Sequence, residues 1–385
     1  MIIGYDASRA FLEEKTGTET YSYQLLKALL GLGSPHHLRV YTRGAAGDSL
    51  EPGSEIPEEP GSFPRQRVEF IPINWSCFWT QGGLALETWR NPPDVLFIPA
   101  HIVPLAKNPK VPVVVTVHDL AIEFLPQYSN WLQKFYLGWW MERLRARRAT
   151  HLIAVSEATR KDIIEKLLVS DEKVSVVYEG VSNNFQLPIT NFQTEEVKKK
   201  YKIEGDYILF VGTVQPRKNL VRLIEAFSVI EEKGQSLAMQ LVIAGKPGWN
   251  CAEIFAAPQE FGVGDRVNFL NYVSAEDLSC LYAGAKMLCL PSLHEGFGLP
   301  VLEVMMAGIP AVASRCSSLP EVGGAAAVYI DPFDVNDIAR GILEVLHWDA
   351  VQYSQKVKEG KEWAAQFTWE RAAKETLAVL EQVVS

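Results

Sequence analysis

The chain has 385 residues, of which 48% are hydrophobic and 22% charged, with a formal net charge of −9. That length exceeds one ordinary core and calls for two domains, while no uninterrupted apolar run approaches the roughly 20 residues that span a bilayer. The acidic balance argues against general nucleic-acid binding, and five scattered cysteines without CxxC spacing argue against a disulfide framework or a structural zinc site.

In chain order, "MIIGYDASRAF" enters a strand at once, with no basic n-region or cleavage site, so we expect no signal peptide and a cytoplasmic protein. A helical pattern, "TYSYQLLKALLGLG", follows, then strands at "LRVYT", "VEFIPI", "VLFIP", "VPVVVTVHD", "HLIAVS" and "KVSVVYEG". Residues 46–66, rich in Pro, Gly, Ser and acid, read as a surface loop. The second half offers strands at "YILFVGT", "MQLVIAG", "VNFLNYV", "KMLCLPS", "PAVAS" and "AVYID", with helical patterns at "LVRLIEAFSVIEEKG", "AEDLSCLYAGA" and "PVLEVMMAG". Strands that alternate with helices imply parallel sheets covered on both faces. We therefore expect an α/β protein with domains at 1–183 and 205–366 and a linker at 184–204. The amphipathic segment 367–385, with no strand after it, is expected to pack back on the first domain.

The stretch "HEGFGLPVLE" (294–303) leaves a buried strand. In an open parallel sheet, ligands sit beyond the carboxyl ends of the strands. Glycines there permit a tight turn and close approach of a ligand. Pro300 suits a first helical position, so the amides of Gly298, Leu299 and the first turn face an anion such as phosphate. Glu303 falls in that first turn. It either complements the helix dipole or accepts hydrogen bonds from a vicinal diol such as ribose. Glu295, a loop carboxylate beside glycines, reads as a binding residue for a neutral, hydroxyl-bearing part of the ligand. Hydroxyls on both sides of a phosphate describe a nucleotide sugar.

Glu295 and Glu303, seven residues apart within "EGFGLPVLEVMMAGIPAVAS", resemble the E-x7-E pattern of family 4 (group 1) retaining glycosyltransferases. The resemblance implies the GT-B architecture, two Rossmann-like doubly wound domains facing each other across a cleft. It also implies that Glu295 binds the donor sugar, that amides after Gly296, Phe297 and Gly298 hold sugar and diphosphate, and that Glu303 holds the ribose. In "FVGTVQPRKNL", Arg217 and Lys218 occupy a loop where a departing diphosphate needs cations. Relatives usually carry Arg directly after the glycine, where this chain has Thr213. The variant with Arg217 before Lys218 resembles bacterial mannosyltransferases of surface-polysaccharide assembly, and for that reason alone GDP-mannose is the expected donor. By the same resemblance His118, in "VVVTVHD", contacts the transferred sugar, and Tyr272 and Val273 lie near the nucleobase. Gly17 lies against the donor phosphates, although an N-cap role for Thr16 or Thr18 reads equally well.

The expected reaction is metal-independent, cofactor-free transfer of a hexose with retention to a saccharide or lipid-linked acceptor. Two alternatives stay open: another class of nucleotide-sugar enzyme, such as an epimerase, and a non-catalytic sugar-nucleotide binder. Residues 131–151 ("WLQKFYLGWWMERLRARRATH") combine Trp and Arg at helical spacing. They read either as a core helix or as a peripheral contact with the inner face of a membrane.

Overall fold

The computed structural model describes residues 1–12, 14–43, 67–75, 78–100, 103–120, 146–182, 185, 189–232 and 239–385. The 46–66 loop, and residues 131–145 of the Trp/Arg segment, lie outside the described residues. The chain divides into two compact units. The first holds Met1–Leu120, the stretch that ends at Gly180 and, after a long excursion, Thr368–Ser385; the second holds Val181–Phe367.

The first unit contains β1 (Ile2–Asp6), α1 (Gly17–Gly31), β2 (His37–Arg43), β3 (Val68–Ile73), α2 (Ala85–Arg90), β4 (Val95–Ile98), β5 (Val113–Val117), β6 (His151–Ala154), α3 (Glu157–Leu167) and β7 (Val174–Val176). Its strands form one parallel sheet in the order β3-β2-β1-β4-β5-β6-β7. Every residue of β4 and β5 is buried, whereas edge strand β3 buries only Ile73. Continuous apolar runs such as "VVVTV" suit a strand covered on both faces, and the mixed "VEFIPI", with Pro72 inside it, suits an edge.

The second unit comprises α4 (Asn191–Lys200), β8 (Tyr207–Val211), α5 (Leu220–Glu232), β9 (Gln240–Ala244), α6 (Ala252–Glu260), β10 (Val267–Asn271), α7 (Ala275–Gly284), β11 (Met287–Leu290), α8 (Leu299–Ala307), β12 (Ala311–Ser314), α9 (Leu319–Gly323), β13 (Val328–Ile330), α10 (Val335–Leu346) and α11 (Ala350–Ala364). Its sheet is parallel, in the order β10-β9-β8-β11-β12-β13. In each unit the strand order reverses beside the first strand, at β1/β4 and at β8/β11. Those reversals are where a parallel open sheet leaves a crevice at its carboxyl edge.

The segment 184–204, read above as a linker, supplies α4 to the second unit, capped by Thr190, whose N–H donates to Gln193 Oε1 (2.9 Å). The last helix, α12 (Trp369–Val384), belongs to the first unit. There Trp369 stacks edge-on to Tyr21 of α1 (5.7 Å between centroids), and Glu381 Oε1 meets His36 Nε2 at 2.6 Å. Its apolar residues Ala372, Ala373, Val379 and Leu380 are buried, as expected for an amphipathic helix that covers a core. Among the described residues no helix is long and apolar enough to cross a membrane.

Candidate active site

The β8/β11 crevice is built from the two segments singled out in the sequence. After β8, Pro216–Lys218 forms a short 3-10 turn closed by Asn219 in the left-handed region (φ 61°). Asn tolerates that conformation better than most residues, and here it also ties loops together. Its Nδ2 donates to the carbonyls of Pro291 (3.0 Å) after β11 and Pro332 (2.6 Å) after β13. Three strand ends are thereby held around one buried amide.

This staple sets Arg217 and Lys218 against Glu295. Arg217 Nη1 donates to the His294 carbonyl (2.8 Å) and to Glu295 Oε2 (3.2 Å). Lys218 Nζ donates to Glu295 Oε1, which also accepts from Ser292 Oγ (2.6 Å). Lys218 and Glu295 are 8% and 6% exposed and Arg217 is half-buried beside them, so two cations share one carboxylate. Burial pushes the Glu295 carboxyl up. The charges of Lys218 and Arg217 and the hydrogen bonds from Lys218 and Ser292 outweigh it and bring the group down to about 2. Glu295 is thus ionised at neutral pH, and the cluster keeps a net positive charge beside the start of α8.

The turn into α8 is shaped from below by the segment after β12. Ser318 Oγ, fully buried, donates to the carbonyls of Glu295 (3.0 Å) and Phe297 (2.6 Å), while the Glu295 N–H donates to Ser317 Oγ (2.9 Å). Gly298 has φ 109°, and a Cβ there would stand 2.6 Å from Leu319 Cδ2, so both backbone and space demand glycine. Helix α8 starts at Leu299, with Pro300 second rather than first as read from the sequence, a shift within the usual blur of helix ends. The Phe297 ring is 5% exposed and packs on Phe367 (6.1 Å, edge-on), so only its backbone faces the crevice. Glu303 is half-buried, and its Oε2 accepts from the Tyr282 hydroxyl (2.8 Å). Burial, with the nearby Glu303 charge, holds that phenol well above its ordinary range.

Tyr272 and Val273 stand apart from this cluster, at the carboxyl end of edge strand β10. Tyr272 is exposed, with Lys246 Nζ over its ring (4.7 Å to the centroid), and Val273 is buried. The Ser274-x-x-Asp277 start of α7 is only half a capping box. Ser274 Oγ takes the Asp277 N–H (3.2 Å), but the Asp277 carboxylate goes to Lys200 Nζ (2.5 Å) and Tyr201 OH (2.7 Å).

His118 and Gly17 belong to the first unit. Thr16 is the N-cap of α1, with its N–H donating to Glu19 Oε2 (3.2 Å), and Gly17 is the first helical residue. His118 directly follows β5, with Nε2 2.8 Å from the Pro99 carbonyl and Nδ1 3.1 Å from Glu179 Oε1. A carbonyl and a carboxylate both accept, so both ring nitrogens are best satisfied as donors. Burial alone lowers the pKa. The hydrogen bond and charge of Glu179, the Pro99 carbonyl and the Asp119 charge together raise it. The ring is largely covered, pairs with Glu179 and has the Tyr21 ring edge-on at 4.6 Å.

The sequence reading missed Ser292, Asn219, Ser317, Ser318 and Glu179. Asn219 after an Arg-Lys turn and the paired serines before "LPE" were visible as turn residues, but the bonds by which they shape the site reach 21 or more positions for all but Ser292.

Known proteins resemble this chain along most of its length. A family model described as "Glycosyl transferases group 1" matches residues 192–363, and one described as "Glycosyltransferase Family 4" matches 15–185. O-antigen chain mannosyltransferase B of Escherichia coli is 31% identical over 265 residues, 69% of this chain and 68% of that protein. Among solved structures, WaaG, a glycosyltransferase involved in lipopolysaccharide biosynthesis, superposes with TM-score 0.69 at 18% identity over 99% of each chain. Anabaena HepE in complex with UDP-glucose superposes with TM-score 0.71 at 17% identity, over 99% of this chain and 100% of that one.

Proposed function

Because the chain belongs to the group 1, family 4 glycosyltransferases of the GT-B fold, we propose that it transfers a hexose from a nucleotide sugar to an acceptor hydroxyl with retention of configuration. Mannose from GDP-mannose is our preferred donor, supported by the likeness to a mannosyltransferase of O-antigen synthesis and by the Arg217–Lys218 pattern. The acceptor is a saccharide or lipid-linked saccharide. The observation that carries this reading is the Arg217–Lys218–Glu295 cluster at the switch point, one turn from the amide-rich start of α8.

The chemistry follows from those charges. Arg217, Lys218 and the first amides of α8 stabilise the negative charge that grows on the departing diphosphate. Being held in place by Glu295, Asn219 and Ser318, they need little reorganisation as the bond breaks. Glu295, ionised and accepting only, takes hydroxyls of the donor sugar, and Glu303, fixed by Tyr282, takes the ribose diol. The acceptor hydroxyl attacks on the face from which the diphosphate leaves and passes its proton to a diphosphate oxygen. In this reading the protein's own cations do the work that a divalent metal does in other transferases, so activity survives chelation by EDTA.

Thermal unfolding with GDP, UDP and ADP and their sugar conjugates tests the proposal. A ligand at 100 times its dissociation constant adds about 2.7 kcal/mol of stability. We expect one diphosphate to raise the melting temperature of the parent but not of Lys218→Ala or Glu303→Ala. Stabilisation by none of them would sink the reading.

A further inference from the structure

The carboxyl edge of the first sheet carries a second constellation, which runs from edge strand β3 across β2 to β1 on one side of the β1/β4 switch point. After β3 the chain turns sharply, Trp75 N–H donating to the Ile73 carbonyl (3.0 Å). A π-helical turn, Trp79–Leu84, then brings Gly82 and Gly83 under the Trp75 indole. A Cβ on Gly82 would stand 2.2 Å from Cζ3 and 2.6 Å from Cε3 of that ring, and a Cβ on Gly83 would stand 3.3 Å from its Cγ. The indole therefore lies along bare backbone on one side, yet Trp75 remains 47% exposed. Its other face is a fixed, open aromatic surface.

Polar groups of both signs flank it. Arg43, at the end of β2 and in register with Ile73, is exposed and held with its guanidinium over the Trp79 ring (5.7 Å to the centroid). The Trp79 indole N–H is buried without a hydrogen-bond partner. Asp6, at the end of β1 opposite Tyr41, is 5% exposed and within electrostatic reach of Arg43. Asp6 Oδ1 already takes the Ser8 N–H (3.0 Å), but the exposed Arg43 guanidinium and the remaining Asp6 oxygen are groups that a hydrocarbon on Trp75 would not use. A pyranose has one face of C–H groups for the indole and a rim of hydroxyls for the guanidinium and the carboxylate.

We propose that the carboxyl edge of β3, β2 and β1 binds an oligosaccharide portion of the acceptor: one sugar unit stacks on Trp75 with its hydroxyls on Arg43, and the next meets Asp6. With neighbouring strands about 4.8 Å apart, the acceptor runs across the strand ends from the sheet edge toward the switch point. Trp75 thus recognises a unit remote from the hydroxyl that reacts. This inference rests on the transferase reading and narrows its acceptor to a saccharide chain longer than one unit.

The test is calorimetric titration of the full chain with α-mannotetraose, maltotetraose and cellotetraose, beside methyl α-mannoside. At least one tetrasaccharide should bind the parent, and Trp75→Ala should weaken it about tenfold or more. Trp75→Phe should keep most of the affinity. Gly82→Ala, which retains the indole but forces it off the backbone, should reproduce the loss. Methyl α-mannoside should be insensitive to all three changes. Equal tetrasaccharide binding by parent and Trp75→Ala overturns the site, as does failure of all three tetrasaccharides to bind the parent. So does loss of binding to phosphatidylglycerol vesicles, rather than to sugar, in Trp75→Ala. Melting shifts with nucleoside diphosphates, read on the same samples, separate the two ideas. Their absence in the parent counts against the transferase reading, whereas their persistence alongside any of these failures counts against the Trp75 site alone.

Discussion

The two sheets end in crevices of different construction. In the second unit, buried Lys218 and Glu295 meet half-buried Arg217 and are braced by neutral side chains: Asn219 spans three strand ends, and Ser318 holds two carbonyls of the turn into α8. In the first unit a single ring, His118, joins the ends of β4 and β5 to Glu179 beyond β7, while Arg43 and Trp75 lie open to solvent. A diphosphate has a fixed shape and concentrated charge, which suits a rigid, pre-paid array of donors. An acceptor chain of neutral sugars suits a broad surface whose contacts are individually weak. The rigid crevice should consequently respond to substitution through rate and stability, and the open one through affinity for particular acceptors.

Four changes sharpen or break that contrast, from the largest expected effect down. Lys218→Ala removes a donor aimed at developing charge and should cut steady-state turnover about 10²- to 10³-fold with the circular dichroism unchanged. A loss of less than tenfold would mean that the second-unit cluster is not where leaving-group charge is met. Glu295→Gln leaves Lys218 buried beside a neutral partner and should cost about 3 kcal/mol or more in urea unfolding. The sign of the pH dependence follows from Glu295 lying at about 2 in the fold against 4.5 as its ordinary value. Its contribution is complete above pH 4.5 and fades as pH falls toward 2. The variant should therefore lose part of the parent's acid-side slope.

Ser318→Ala removes the buried hydroxyl shared by the Glu295 and Phe297 carbonyls and should cost about 1–3 kcal/mol. It should also raise KM for the donor more than it lowers kcat, since it loosens the turn without touching the cations; a purely structural role would move the stability alone. The smallest effect belongs to the first unit. The raised pKa of His118 means that the pair with Glu179 contributes fully below the ordinary histidine value of 6.5 and is lost as pH rises through the folded value. His118→Gln should flatten the decline in melting temperature on that alkaline side. An unchanged pH profile would show that the imidazolium is not what holds these strand ends.

The same contrast explains what could be read in advance. All strands of both sheets were legible, because buried parallel strands are short apolar runs separated by helices, and α8 announced itself through Gly298 and Pro300. The cluster was half legible. Glu295, Arg217 and Lys218 stood out as charges at strand ends, but that all three meet depends on β8 and β11 being neighbours, which spacing alone does not encode. Glu179 was invisible for a stronger reason: nothing in "VVYEG" distinguishes a carboxylate that reaches back 61 positions to His118 from one in water. The Trp75 surface escaped notice because its meaning lies in the two glycines beneath it, and a Gly-Gly pair in a loop has many other uses.

The return of α12 to the first unit bears on how the molecule comes to be folded at all. Synthesis proceeds from the N-terminus, and domains commonly fold as they emerge. Here α1, with Tyr21 and His36 near it, cannot meet Trp369 and Glu381 until the whole of the second unit has been made. The nascent first sheet must wait with part of one apolar face uncovered while β8 to β13 assemble ahead of its last helix. The sheet of the second unit, β8 to β13, lies within the single run Val181–Phe367 and has no such delay, so it is the sheet able to finish folding first.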